Sequence, residues 1–168
     1  MLATTGYREE QIAAIHEAAK EIPVFFTANM SMGVNLLAEL CKKAAQVLGA
    51  DFDVEIIEKH HNQKIDAPSG TALMLARAVE EGLDYEPTYV YDRQAVRQKR
   101  DHHEIGFSAV RGGNIVGEHE VLFAGHDEIV TLSHSARSKE VFAVGAVNAA
   151  LFMVGKPAGL YTMADLVK

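Results

Sequence analysis

The stretch Glu58-Lys59-His60-His61-Asn62-Gln63-Lys64-Ile65-Asp66-Ala67-Pro68-Ser69-Gly70-Thr71-Ala72 holds most of the chemistry in this sequence of 168 residues. Just upstream, Val54, Ile56 and Ile57 form a β-branched run that reads as a strand, so His60 and His61 fall at or just past its carboxyl end. Ligands bind at that end of the strands in open α/β sheets. Downstream, Pro68 disfavours a helical Ala67, and Ser69 followed by Gly70, Thr71, Ala72, Leu73 and Met74 reads as an N-cap opening a helix. Backbone N–H groups of Ser69, Gly70 and Thr71 would then face any anion in front of them, with the positive end of the helix dipole behind. Lys64 adds a cation and proton donor, and His60 adds a group that changes protonation near neutral pH. Together they meet the requirements of proton transfer to an anionic small molecule. Paired histidines and single lysines are also common on solvated loops, and spacing alone leaves both readings open.

The pattern E-x-H-H-x-x-K-x-D-A-P-S-G-T-A resembles the signature of the 4-hydroxy-tetrahydrodipicolinate reductase family, also called dihydrodipicolinate reductase. These are nicotinamide-dependent enzymes of lysine and diaminopimelate synthesis. The resemblance implies that His60 is the proton donor/acceptor and Lys64 a second proton donor. It also implies that His61 and the backbone of Ser69, Gly70 and Thr71 hold the carboxylates of a cyclic substrate. It continues through A-T-T-G-Y, T-A-N-M-S-M-G-V-N, G-N-I-V-G-E-H, F-A-V-G-A and G-K-P-A-G-L-Y, and so runs along the whole chain. By the same likeness, Ala3, Thr4 and Thr5 and the loop Thr27, Ala28, Asn29 and Met30 touch the nicotinamide side of NADPH or NADH, although Ala3 stands where many relatives have glycine. As bare sequence, both loops read as strand-end turns. No G-x-G-x-x-G fingerprint occurs, so the cofactor's glycine-rich turn is expected to lie before residue 1.

Composition bounds the alternatives. With 48% hydrophobic residues the chain can bury a substantial core, and a net charge of −7 argues against a nucleic-acid or basic membrane-surface partner. Cys41 is the only cysteine, so neither a disulfide framework nor a cysteine metal site is expected. The longest apolar stretch, Val141 to Val154, is broken by Gly145 and Asn148 and is too short to span a bilayer. A cytoplasmic protein follows as the expectation.

Around the signature, a short apolar start reads as the end of a strand. Ile12, Ile15, Ala18, Ala19 and Ile22 recur at helical spacing, and Val24-Phe25-Phe26 reads as a buried strand, which together make a βαβ unit. Ser31 is placed to cap a helix with a stripe of Val34, Leu37, Leu40, Cys41, Ala44, Ala45 and Leu48, ended by Gly49; Met30 and Met32 read as packing residues. Residues 85–103 read as a charged surface loop. His102 and His103 there form a weak metal motif, and no metal site is expected.

Three strands, Ile105 to Arg111, Ile115 to Ala124 and Ile129 to Ala136, read as an antiparallel meander with hairpin turns at Gly112-Gly113-Asn114 and Gly125-His126-Asp127. His119 and His134 read as structural. An apolar helix from near Ser138 to Gly155 closes the pattern. The expected fold is α/β. Residues 1–30, joined by 138–168, form a remnant of a doubly wound nucleotide-binding domain. Residues 31–137 form a mixed-sheet α+β domain for substrate and, by the resemblance, tetramer assembly. Two other readings stay open: a substrate-binding and oligomerisation fragment without activity, and a metal-dependent hydrolase using His60, His61 and Asp66.

Overall fold

The computed structural model describes residues 1–4 and 7–167. Thr5, expected at the cofactor, lies outside the described residues. The fold is α/β with a mixed sheet, and it divides into two compact units, residues 1–36 with 139–168, and residues 37–138.

In the first unit, helix α1 (Glu9–Ala19) lies in sequence between Leu2, which bridges Phe26 in parallel, and strand β1 (Pro23–Phe25). Strand β7 (Gly159–Tyr161) pairs in parallel with β1, and the Phe26 N–H donates to the Tyr161 carbonyl at 2.8 Å. The βαβ expectation therefore holds, with β7 as an unanticipated neighbour. Three residues carry too little periodicity to announce a strand. Phe25, Met30, Ala149 and Met163 form the core of this unit, with helix α4 (Glu140–Phe152) supplying Ala149 and the short helix α5 (Met163–Leu166) supplying Met163. At Gly145 α4 meets backbone: a Cβ there would stand 1.7 Å from the Met30 carbonyl oxygen.

Helix α2 (Met32–Leu48) starts where predicted, the Ser31 hydroxyl accepting from the Val34 N–H at 3.2 Å, and ends at Gly49 with φ of +57°. Val34, Leu37, Cys41 and Ala45 are buried as expected. Leu40, placed on the same stripe, is 46% exposed.

The second unit is built on a five-stranded sheet in the order β3-β4-β2-β5-β6, with β3 (Thr88–Val90), β4 (Glu104–Arg111), β2 (Asp53–His60), β5 (Gly117–Ala124) and β6 (Ile129–Ala136). The expected meander is wrong at its first turn. β4 and β5 do not pair with each other; β2 lies between them, parallel to β4 and antiparallel to β5. Only β5 and β6 make the hairpin. Gly112-Gly113-Asn114 carries good turn chemistry, and Gly113 does adopt a φ of +50°, yet the segment crosses the end of β2. The choice between β4 and β2 as neighbour of β5 is a long-range one that turn residues do not encode.

The charged loop at 85–103 is also corrected. Its Tyr89-Val90 portion is the parallel edge strand β3, and Arg100 donates to Asp53, Glu55 and the carbonyls of Val54 and Glu104, while Arg93 bridges Glu55 and Glu104. Those arginines tie the segment to the sheet.

Helix α3 (Gly70–Glu80) packs Ala72, Leu75, Ala76 and Val79 with Val54, Ile56, Ile105, Phe107, Val121, Phe123 and the α2 residues Leu37, Cys41 and Ala45. β2 alternates strictly, with Val54, Ile56, Glu58 and His60 buried and the intervening residues partly exposed. Among the described residues no helix is long and apolar enough to cross a membrane.

Candidate active site

Strand register assembles the site. On the buried side of the sheet, His60 at the end of β2 stands beside Arg111 of β4, and Glu58 stands beside His119 of β5. The crossing segment pins this end: the Gly112 N–H donates to the His60 carbonyl at 2.9 Å, and the Asn62 N–H to the Gly113 carbonyl at 3.2 Å. Inserting β2 between β4 and β5 thus brings together polar residues that are distant in sequence.

The Glu58 carboxylate, 1% exposed, accepts from four donors. Oε2 accepts from His60 Nδ1 at 2.5 Å and Arg111 Nη1 at 2.8 Å; Oε1 accepts from Arg111 Nη2 at 2.7 Å and the Ser69 N–H at 3.1 Å. Burial by itself would raise this carboxyl, but hydrogen bonds from Arg111 and His60, with their charges, outweigh it and hold Glu58 below the usual carboxylate range. A carboxylate only accepts, so His60 Nδ1 carries a hydrogen and Nε2 is the nitrogen left for chemistry. A Cβ at position 117 would stand 3.1 Å from that Nε2, so Gly117 gives the ring edge room.

Ser69 caps α3 with its hydroxyl, which accepts from the Ala72 N–H at 3.1 Å and pairs with His119 Nε2 at 2.9 Å. His119 meets His60 edge to face, ring centres 5.1 Å apart. Burial pushes His119 down to about 4, with His60 adding to the fall, so it is neutral at physiological pH. His119 Nδ1, His134 Nδ1 and Arg111 Nε are buried without a hydrogen-bond partner among the described residues.

Of the residues implied at the substrate, Lys64 Nζ pairs with Asp66 Oδ1 at 2.8 Å, and the Lys64 N–H donates to the His61 carbonyl at 3.2 Å. The Ser69 N–H, expected to face an anion, goes instead to Glu58. Gly70, exposed in the first turn of α3, has open space where a Cβ would be, and Thr71 follows it, half-buried. Both belong to the first turn of α3.

In the first unit, four of the residues expected at the cofactor come together. Ala3, Ala28, Asn29 and Met30 line one hollow with Phe142, Ala143 and Ala146 of α4. Thr4 Oγ1 lies 2.5 Å from the Tyr7 hydroxyl, and Thr27 Oγ1 donates to the Asn29 carbonyl at 3.1 Å. His102 and His103 lie elsewhere, beside Asp53 and against the Tyr85 ring. Among the described residues no three His, Cys, Asp or Glu side chains are grouped to hold a metal.

Sequence reasoning gave no role to Glu58 or Arg111, and it read His119 as a residue in a structural hydrogen bond, which His119 makes to Ser69. A signal existed for Glu58, which sits two residues before His60 and so shares its face. None existed for Arg111, which arrives through pairing with a distant strand, while His119 closes the resembling stretch G-N-I-V-G-E-H.

Comparison with known proteins points one way. A family model described as the C-terminus of dihydrodipicolinate reductase matches residues 33–167. The 4-hydroxy-tetrahydrodipicolinate reductases of Caldanaerobacter subterraneus and Clostridium novyi are 56% and 51% identical over 168 residues, covering 100% of this chain and 66% of each relative. That of Exiguobacterium sibiricum is 49% identical over 166 residues. Among solved structures, a dipicolinate-bound dihydrodipicolinate reductase from Paenisporosarcina sp. TG-14 superposes with a TM-score of 0.72 at 26% identity, over 95% of this chain and 61% of that one. This chain spans about two thirds of the length of its curated relatives, and with the matched region covering most of its residues, it belongs to the dihydrodipicolinate reductase family.

Proposed function

We propose that this chain carries the substrate site of a reductase that converts 4-hydroxy-tetrahydrodipicolinate to tetrahydrodipicolinate in lysine and diaminopimelate synthesis, in the cytoplasm. The supporting observation is the buried Glu58–His60 pair beside the first turn of α3. NADPH or NADH, when bound, supplies the hydride. The residues Ala3, Thr4 and Thr27–Met30 follow the carboxyl ends of parallel strands, where such a ring is held in open α/β folds, and Ala3, Ala28, Asn29 and Met30 line one hollow. Thr5 is part of the same proposed set.

His60 Nε2 exchanges the proton, with Nδ1 fixed on Glu58. Lys64 gives a second proton and a positive charge near the substrate. His61 and the Gly70 and Thr71 amides hold the two carboxylates, aided by the N-terminal end of the α3 dipole. Ser69 serves them as the cap that fixes α3. The substrate hydroxyl leaves as water, and one hydride and one proton make up the difference.

The pyrophosphate-binding glycine turn is not among these 168 residues. Isolated, they are therefore expected to bind pyridine-2,6-dicarboxylate weakly, to bind NADPH poorly and to show no NADPH oxidation. Calorimetric titration of both ligands with an absorbance assay decides this. Absence of any dicarboxylate binding would refute the substrate site, and tight NADPH binding or turnover would refute the account of what the cofactor needs.

The same proposal includes a homotetramer. The side of the sheet away from α3 carries Val110 and Ile129, 46% and 64% exposed, and β6 has a bare edge, features that favour symmetric association. Light scattering is expected to give four times the 18.3 kDa chain mass. A monomer at every concentration would defeat it.

A further inference from the structure

We infer that Glu58, clamped by Arg111, is a positioning residue that sets the tautomer of His60 and so decides which ring nitrogen meets the substrate. The inference rests on the proposed role of His60 and goes beyond it by naming what makes that role possible. Glu58 Oε2 stands 2.5 Å from His60 Nδ1, and a carboxylate can accept there but not donate, so the hydrogen must sit on Nδ1. Arg111 grips both carboxylate oxygens at 2.8 and 2.7 Å, and its Nη2 also donates to the Asp66 carbonyl at 2.7 Å. The fork keeps Glu58 ionised and prevents the carboxylate from rotating away from the ring. The fourth donor, the Ser69 N–H, ties the same carboxylate to the start of α3. One buried anion therefore aligns the proton-transfer group with the helix end proposed to hold the substrate.

His119 does not replace it. Its ring meets His60 edge-on with centres 5.1 Å apart, and its Nε2 is taken by Ser69, so it limits how far the His60 ring can swing without bonding to it.

The E58Q substitution tests this because it keeps shape and loses the acceptor-only character. With the amide oxygen toward Ser69, the new NH2 meets one fixed donor, Arg111 Nη1, and faces His60 Nδ1, which can accept only by giving up its hydrogen to Nε2. The reverse orientation sets the NH2 against two donors, the Ser69 N–H and Arg111 Nη2, and is disfavoured. E58Q should therefore hold His60 in the opposite tautomer, the wrong one for accepting a proton at Nε2.

Nitrogen-15 NMR of the histidine rings in this chain reads the tautomer directly. The wild type is expected to carry the hydrogen of the neutral His60 ring on Nδ1 and leave Nε2 bare, and E58Q the reverse. In a reductase that also carries the glycine-rich cofactor turn, E58Q is expected to lower kcat by on the order of 10²–10⁴-fold with KM changed by less than about three-fold. E58D keeps an acceptor-only group, so it should keep the wild-type tautomer and recover at least about ten-fold of the lost kcat; it also serves if E58Q fails to fold. A wild-type His60 protonated on Nε2, or an unchanged tautomer in E58Q, overturns the inference. So does a reversed tautomer with undiminished kcat. A silent H60Q variant would instead strike the proposed function itself, so the two failures are distinguishable.

Discussion

Replacing His60 with glutamine or Lys64 with alanine, in a reductase completed by a glycine-rich cofactor turn, is expected to lower kcat by roughly 100-fold or more, the usual worth of a positioned proton-transfer group. The fold should survive both changes. His60 ends β2 with its backbone carbonyl held by the Gly112 N–H, a bond that no side chain supplies. Lys64 lies in a loop, and its exposed partner Asp66 can be solvated when the lysine is gone. The two variants should differ in one respect. In the proposed role Lys64 also contributes charge near the substrate carboxylates, so K64A should raise KM as well, whereas H60Q should act mainly on kcat. Steady-state kinetics at saturating substrate provide the check, and near wild-type turnover in either variant would remove that residue from the mechanism.

The largest expected effect on stability is at Leu75. Its side chain is fully buried on the face of α3 that packs against β2 and β5, in the cluster with Ile56, Val79, Val121 and Phe123. Truncation to alanine removes that burial and leaves a cavity, at a cost of about 2–5 kcal/mol. Because α3 presents Gly70 and Thr71 from its other end, L75A should also weaken dicarboxylate binding while leaving every polar residue of the site in place. Urea denaturation read as a midpoint shift at constant slope measures the first effect, and calorimetry the second. A loss below about 1 kcal/mol would mean that α3 is not anchored where its burial indicates.

How much of this was legible in the sequence depended on the range of the interaction. The capping of α3 by Ser69, the glycine that ends α2 and the strand that leads into the signature are written in neighbouring residues, and each was found where residue pattern and turn chemistry placed it. The signature loop was found as a unit for the same reason. Strand order was not. β4 and β5 have the lengths and the intervening glycines of a hairpin, and only the arrival of β2 between them, from far upstream, decides otherwise. The same event hides half of the site: Arg111 and His119 look like isolated strand residues until β2 brings Glu58 and His60 to lie beside them. β3 and β7 escaped because three residues cannot show a period.

The position of β2 also sets a timetable. Val54 pairs with Ile105 on one side and Phe123 on the other, so the central strand is made first and must wait for partners that leave the ribosome much later. Pairings of such long sequence separation form slowly, since the loop must close before any contact rewards it. Until β4 arrives, Glu58 lacks the Arg111 fork, and its charge beside Val54 and Ile56 opposes premature burial of β2 against the wrong neighbour. The group that orders the finished site would thus also guard the nascent chain, discouraging collapse until the arginine that neutralises it has been synthesised.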